Sequence, residues 1–183
     1  CAYAPLRLQG APSLSAQQRD RVWQLFSPNK ALGLTGVRAA YAIAPLGAEQ
    51  AVAALDSLAP SWLVGSHGVA MLLAWTSADT QAWLHTSLQT LQDWKARQEQ
   101  VLQSLGWTTL PSETSYFCAQ LPVGVAVPEL CDRLRAVGIK LRDATSFGLP
   151  GCVRLGVLSE EAQEALFAAL SSMRVASHAS ITV

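Results

Sequence analysis

The chain has 183 residues, a formal net charge of zero and only 14% charged residues. This charge is too low for the basic face that nucleic-acid binding requires, and no apolar run approaches the ~18 residues that a bilayer-spanning helix needs. An apolar fraction of 50% is ample for a packed core, which argues against bulk disorder.

Two short apolar strands followed by two helices are predicted in the first 76 residues. Branched and aromatic residues predict strands at residues 22–26 and 37–44. The segments 48–58 and 66–75 favour helices, the second of them buried.

The longest helical pattern covers residues 77–105. Apolar residues recur there at steps of three and four, and Gly106 is a plausible stop. The other face of this helix is predicted to be solvated and consists of Gln92, Asp93, Lys95, Arg97, Glu99 and Gln100. A helix of this length typically links two domains or lies along one.

Shorter elements alternate after this helix. Strands are predicted at residues 115–121, 139–142 and 153–157, and helices at residues 127–137 and 159–173. The alternation predicts a second, compact α/β module.

The cysteines do not indicate a metal site. No two of them are separated by two residues, and no histidine accompanies them; they are Cys1, Cys118, Cys131 and Cys152. Scattered buried thiols are the favoured interpretation and two disulfides the alternative, and a reducing cytoplasm is the simpler setting. The chain begins without a methionine or a signal peptide, which suggests a fragment whose upstream part is missing.

The turn at residues 27–38 carries the most informative chemistry. It places a hydroxyl, an amine and a guanidinium between two apolar strands, on Ser27, Lys30 and Arg38. An amine in apolar surroundings becomes neutral more readily and can then attack a carbonyl, while the hydroxyl and guanidinium suit a phosphate. Pyridoxal phosphate combines an aldehyde with a phosphate. From composition alone, a solvated loop lysine is the alternative.

Five segments in order resemble motifs of the class I/II aminotransferases of fold type I, and within them the histidinol-phosphate aminotransferase group. The segment S-x-x-K with G-L-x-G-x-R at residues 27–38 resembles the family's cofactor-lysine motif. The other segments are residues 1–3 (C-A-Y), 112–116 (S-E-T-S-Y), 139–143 (I-K-L-R-D) and 151–155 (G-C-V-R-L). Five motifs in order are a far more specific signal than any one of them.

The resemblance implies a pyridoxal-phosphate site. Lys30 matches the lysine that bonds to the cofactor aldehyde and moves the substrate's α-proton. Ser27 and Arg38 match residues that hold the cofactor phosphate, and Tyr3 matches a tyrosine that bonds the ring's phenolic oxygen. Asn29 departs from the family, which usually has serine there.

The resemblance also implies substrate-binding residues. Arg154 matches the arginine that grips the substrate carboxylate, a bidentate task for which lysine is poorly suited. Arg142 matches a position that assists with a distal phosphate in some members. Ser115 stands where the family commonly has asparagine.

The implied fold is α/β, the C-terminal part of a fold type I pyridoxal-phosphate-dependent transferase. Residues 1–76 would close the cofactor-binding large domain, and residues 77–183 would form the interdomain helix and a small C-terminal domain. The aspartate that pairs with the pyridine nitrogen in this family has no counterpart here, so the fragment alone is expected to be inactive. The complete protein is expected to be a cytoplasmic homodimer.

The implied reaction moves an amino group between an amino acid, or an amino phosphate, and a keto acid. An alternative on the same scaffold is a decarboxylase of an amino-acid phosphate such as threonine phosphate. A non-catalytic binding module is a third possibility. Trp62 follows a predicted turn and either lines a pocket or subunit contact or, as the sequence favours, simply packs in the fold.

Overall fold

The computed structural model describes residues 4–179, with side chains as far as residue 173. Its contacts divide the chain into two compact units, one ending at Leu88 and the other beginning at Gln89. This division falls inside the long helix Ala78–Ser104. The sequence predicted the domain boundary between residues 76 and 77, just before this helix begins. The predicted domain boundary therefore stays a prediction.

The first unit contains a two-stranded sheet and short helices. Its elements in chain order are a 3₁₀ turn (Ala4–Leu6), α1 (Ala16–Arg19), β1 (Gln24–Phe26), β2 (Tyr41–Ile43), α2 (Glu49–Ser57), α3 (Ser66–Trp75) and the start of α4 (Ala78–Ser104). Strands β1 and β2 run antiparallel, and the rings of Phe26 and Tyr41 stack across them at 5.3 Å. Such a cross-strand aromatic pair stabilises a ladder of only three residues.

Strand β2 is shorter than the sequence predicts. The residues before Tyr41 use their backbone groups in a turn: the Ser27 hydroxyl donates to the Ala39 carbonyl, and the Val37 amide donates to the Leu34 carbonyl. Because these groups are engaged in the turn, the ladder with β1 begins only at Tyr41.

The second unit is a four-stranded antiparallel sheet with helices on one face. After α4 its elements are β3 (Thr108–Thr109), β4 (Tyr116–Gln120), α5 (Val127–Ala136), β5 (Arg142–Asp143), a 3₁₀ turn (Thr145–Phe147), β6 (Cys152–Gly156) and α6 (Glu160–Ala179). The strand order is β3–β4–β6–β5. The sheet therefore has β4 and β6 at its centre.

The two faces of this sheet differ because side chains alternate along each strand. Phe117, Ala119, Val153 and Leu155 point into the core, where they pack with leucines of α4, α5 and α6. The opposite face carries the more polar and more accessible side chains, among them Tyr116, Cys118, Arg142 and Arg154. The face away from the core is therefore the one that offers charged groups.

The strand predicted at residues 139–142 is wrong except for Arg142. Gly138 has a φ of 82° and ends α5, and the Ile139 amide donates to the Leu134 carbonyl at 2.9 Å. This is the bonding pattern of a helix C-terminus, so residues 138–139 complete the helix end and the strand begins only at Arg142. Helix α6 continues to Ala179, beyond its predicted end at residue 173.

Candidate active site

Ser27, Asn29 and Arg38 line one open hollow of the first unit, with a volume of about 530 Å³. Small and branched apolar side chains complete its wall: Ala39, Ala40, Leu63 and Val64. The volume lies within the range of roughly 300–1,000 Å³ that is common for small-molecule sites. A hydroxyl, an amide and a guanidinium thus converge on a space large enough for a small ligand.

The Ser27 hydroxyl joins two parts of this loop. Its oxygen lies 2.8 Å from the Ala39 carbonyl oxygen and 3.0 Å from the Asn29 amide oxygen position. Because a hydroxyl has one proton, both contacts are satisfied when Ser27 donates to Ala39 and accepts from the Asn29 amide nitrogen, which requires the opposite orientation of that amide. Asn29, the departure from the family pattern, therefore has a structural partner in Ser27.

Lys30 follows Asn29 directly on a hydrogen-bonded turn. The Leu34 amide donates to the Asn29 carbonyl at 2.8 Å, and the Leu32 amide donates to the Pro28 carbonyl at 3.0 Å. The turn buries Pro28 and leaves the Lys30 side chain exposed. The apolar surroundings predicted for Lys30 are therefore wrong for the residues described, because its side chain is exposed whereas that of its neighbour Ala31 is buried.

Helix α3 supports the Arg38 segment from behind. Gly68 is buried on this helix, and a Cβ at its position would lie 2.6 Å from Val64 Cγ1, 3.0 Å from Ala39 Cβ and 3.4 Å from the Arg38 carbonyl oxygen. Only glycine leaves room for this approach. The backbone at Arg38 is thus fixed by close packing on its inner side.

A second group of candidate residues lies on the outer face of the sheet in the second unit. Arg142 of β5 and Arg154 of β6 stand directly opposite each other. The Arg154 guanidinium carbon lies 5.4 Å from the centre of the Tyr116 ring and 5.6 Å from that of Phe147, and the Arg142 guanidinium carbon lies 4.8 Å from the Phe147 ring centre. The structure thus brings the two predicted substrate arginines together, beside Tyr116, the last residue of one of the five motifs, and Phe147, which the sequence did not single out.

Lys95 is buried, with 5% of its surface exposed, although the sequence placed it on the solvated face of α4. Its ammonium donates to the carbonyls of Ser112 and Thr114, the latter at 3.2 Å. Burial lowers the pKa of Lys95, and the carboxylates of Glu99 and Glu113 oppose that shift. The prediction is wrong because the segment before β4 folds over this side of the helix, which the helical period does not report.

The segment 112–114, whose carbonyl groups bind Lys95, leads directly into β4, and the Tyr116 ring of that strand lies beside Arg154. The Ser112 hydroxyl donates to the Tyr116 carbonyl at 2.5 Å, and the Thr114 hydroxyl does so at 3.2 Å. Lys95 therefore fixes the entry to β4, the strand that carries the Tyr116 ring.

The predictions for Tyr3 and Trp62 have outcomes that differ from those of the other candidate residues. Tyr3 lies outside the described residues. Trp62 is 91% exposed, so the packing that the sequence favoured for it is wrong within the described part of the chain. Its neighbour Leu63 lines the hollow, and the only sequence signal was an apolar pair following a turn. For Phe147 the signal was a single aromatic between two arginine motifs.

The family model for aminotransferase class I and II matches residues 12–170. The chain belongs to this family. The matched range includes the Ser27–Arg38 turn and both arginines of the outer sheet face.

Curated aminotransferases are similar to this chain over part of their length. A histidinol-phosphate aminotransferase of Haloquadratum walsbyi is 29% identical over 145 residues, which are 79% of this chain and 36% of that protein. A second one, of Natronomonas pharaonis, is 30% identical over 140 residues and is matched over 36% of its length. The chain thus spans little more than a third of these relatives.

Solved structures confirm the expected α/β fold of the fold type I enzymes. A decarboxylase from Sulfurospirillum multivorans has a TM-score of 0.76 at 19% identity, covering 92% of this chain and 50% of its own. The histidinol-phosphate aminotransferase of Clostridium acetobutylicum gives 0.73 at 17% identity, with 89% and 50% covered. The L-threonine-O-3-phosphate decarboxylase of Porphyromonas gingivalis gives 0.62 at 21% identity, with 94% and 53% covered. At these identities the likeness shows the fold alone.

A membrane-spanning helix and a metal-binding cluster are both absent from the described residues. Within residues 4–179 no helix is both long and apolar enough to traverse a membrane. Over the same range, no group of three or more His, Cys, Asp or Glu side chains is placed to hold a metal ion.

Proposed function

We propose that the complete protein is a pyridoxal-phosphate-dependent aminotransferase that moves an amino group between an amino acid, or an amino phosphate, and a keto acid. The observation that carries this proposal is the convergence of Ser27, Asn29 and Arg38 on one hollow, with Lys30 next in the chain. Family membership supports it, since the turn lies within the matched range.

The residues of the hollow fit the phosphate of such a cofactor. Arg38 offers several N–H donors in a planar fork, and the Ser27 hydroxyl can rotate its proton from the Ala39 carbonyl toward an anion. When bound, pyridoxal phosphate supplies an aldehyde and an electron-withdrawing ring. Ser27 and Arg38 would hold its phosphate, and Tyr3 would bond its phenolic oxygen.

Lys30 would act first as the amine that bonds the cofactor and then as the base that takes the substrate's α-proton and returns it. Its exposure on the turn leaves its amine accessible to a bound molecule. Arg154 would bind the substrate carboxylate through two parallel N–H bonds, and Arg142 would bind a distal phosphate.

The substitution Gly68→Ala is expected to weaken binding of pyridoxal phosphate about tenfold. The added Cβ would overpack against the Arg38–Ala39 segment at a cost of ~1–3 kcal/mol, and relieving this contact moves the segment that carries Arg38. The dissociation constant, measured by absorbance titration of the full-length apoprotein, checks this. Gly65→Ala is the matched control, since a Cβ there has no neighbour within 4 Å. Equal affinities of the two variants would show that Gly68 does not position Arg38.

A decarboxylase of an amino-acid phosphate is the second candidate. It is favoured by two like-charged arginines side by side, which suit a substrate with a carboxylate and a phosphate. The two reactions differ in which bond at the α-carbon breaks, and the described residues are compatible with both.

The proposal extends to the complete protein as a cytoplasmic, biosynthetic homodimer. Large apolar side chains exposed on the first unit, such as Trp62 and Leu58, support further contacts there. Light scattering of the full-length protein tests the dimer directly.

Borohydride reduction followed by product analysis tests the function. Reduction of the full-length protein saturated with pyridoxal phosphate is expected to leave a pyridoxyl label on Lys30, found by peptide mass analysis. A folded protein without this label would instead be a binding module. With O-phospho-L-threonine as substrate, carbon dioxide release identifies a decarboxylase, whereas keto-acid formation coupled to a second keto acid identifies a transaminase.

A further inference from the structure

Arg142 and Arg154 form an unusual cross-strand pair. They stand directly opposite each other on β5 and β6, and both are exposed. Like charges in this position destabilise a sheet. Neither has a carboxylate within ion-pair distance among the side chains of residues 4–173. Something other than an acidic side chain must therefore offset their repulsion.

The Phe147 ring is the neighbour that the two guanidinium groups share. Both guanidinium carbons lie within 5.6 Å of its centre, inside the range of about 6 Å in which a cation is attracted to an aromatic face. Tyr116 offers a second ring to Arg154 alone. Among the side chains of residues 4–173, Phe147 is therefore the aromatic ring that contacts both arginines.

Phe147 stands on a well-supported turn. The Asp143 carboxylate accepts from the Thr145 amide at 2.8 Å. Hydrogen bonds from the Thr145 side chain and then from its amide lower the pKa of Asp143 and keep its carboxylate charged. Ala144 is fully buried, and its carbonyl accepts the Phe147 amide at 2.9 Å. The ring is 49% exposed and so remains open to a bound molecule on one side.

We infer that Phe147 is a positioning residue that sets substrate specificity by holding the two guanidinium groups as a pair for a compact substrate with two anionic groups. The substrate class is a short amino acid with a phosphate ester on its side chain. Because both guanidinium carbons lie within 5.6 Å of the same ring centre, the pair suits a substrate whose carboxylate and phosphate are only a few bonds apart. This inference rests on the proposed function and names its substrate class.

The consequence is a selective effect of Phe147. Removing the ring frees both guanidinium groups to move apart, which penalises a ligand that must engage both. A ligand with one carboxylate engages Arg154, which keeps the Tyr116 ring. Loss of Phe147 should therefore weaken doubly anionic ligands more than singly anionic ones, whereas a merely structural role would weaken both alike.

Calorimetric titration of the full-length holoprotein with O-phospho-L-threonine and L-threonine tests this. Phe147→Ala is expected to weaken O-phospho-L-threonine about tenfold, the sum of two exposed cation–ring contacts, and L-threonine less than threefold. In turnover the change should fall on KM rather than on kcat. Phe147→Tyr should restore the affinity, and Phe147→Leu should not, because it keeps apolar bulk without an aromatic face.

Three outcomes would overturn the inference: no binding of O-phospho-L-threonine by the wild-type protein, equal weakening of both ligands in Phe147→Ala, or full affinity in Phe147→Leu. The leucine variant also covers the case in which the alanine variant does not fold. Failure of the proposed function has a different signature, since the borohydride label at Lys30 does not depend on Phe147. If Lys30 carries the label and Phe147→Ala weakens binding of both ligands equally, only the specificity role of Phe147 is rejected.

Discussion

Replacing Lys30 by alanine is expected to slow proton exchange at the substrate α-carbon by about 10⁴-fold, the upper end of what a positioned general base contributes. The carboxylates of the described chain do not share its turn, and no histidine lies between Ser27 and Arg38. Exchange of the α-proton of an amino acid in D₂O, followed by proton NMR with the full-length holoprotein, measures this step without a second substrate.

The controls separate the amine from its charge. Lys30→Arg keeps a positive charge but cannot serve as a base near neutral pH, so it should not restore exchange. Lys140→Ala removes another exposed lysine and should exchange at the wild-type rate. Exchange in Lys30→Ala within tenfold of the wild-type rate would assign the proton transfer to another group.

The helices were largely predictable because their signal is local. The helix at residues 66–75 has the predicted bounds, and α4 differs from the predicted helix by one residue at each end. A period of 3.6 residues repeats over several turns in such segments, so the sequence alone specifies them. Short strands lack that redundancy: β3 has two residues and was missed, because it is defined by its hydrogen bonds to β4 rather than by its own pattern.

The candidate site was predictable where its residues lie in one turn and not where tertiary packing assembles it. Ser27 and Arg38 are eleven positions apart and the motif named both, and the structure places them on one hollow. Lys95 lies 17 positions from Ser112, whose carbonyl it binds. Its position in the helical repeat predicted that its side chain would be exposed to solvent. Phe147 owes its importance to the pairing of β5 with β6, which no local pattern reports.

Lysine in place of Arg154 is expected to lower kcat/KM for amino acids by about a hundredfold, mostly through KM, because a charge-assisted bidentate bond of ~1.5–3 kcal/mol is replaced by a single flexible ammonium. Lysine also lacks the planar face that lies over Tyr116 and Phe147, so the remaining charge is held less firmly. Steady-state kinetics of the full-length holoprotein measure the loss. Arg135→Lys is the matched control, since Arg135 is exposed on α5 and pairs with Asp132 at 3.1 Å.

Whether Arg154 binds the α-carboxylate of the substrate can be tested as well. A pair of ligands that differ only in the α-carboxylate, L-threonine and 1-amino-2-propanol, should be discriminated by the wild-type protein and hardly at all by Arg154→Lys. The wild-type preference arises because the Arg154 guanidinium binds the carboxylate through two N–H bonds, which 1-amino-2-propanol cannot accept and which a lysine ammonium replaces only weakly. If Arg154→Lys keeps the wild-type preference for L-threonine, the carboxylate binds elsewhere, and the arginine pair would then serve the phosphate alone.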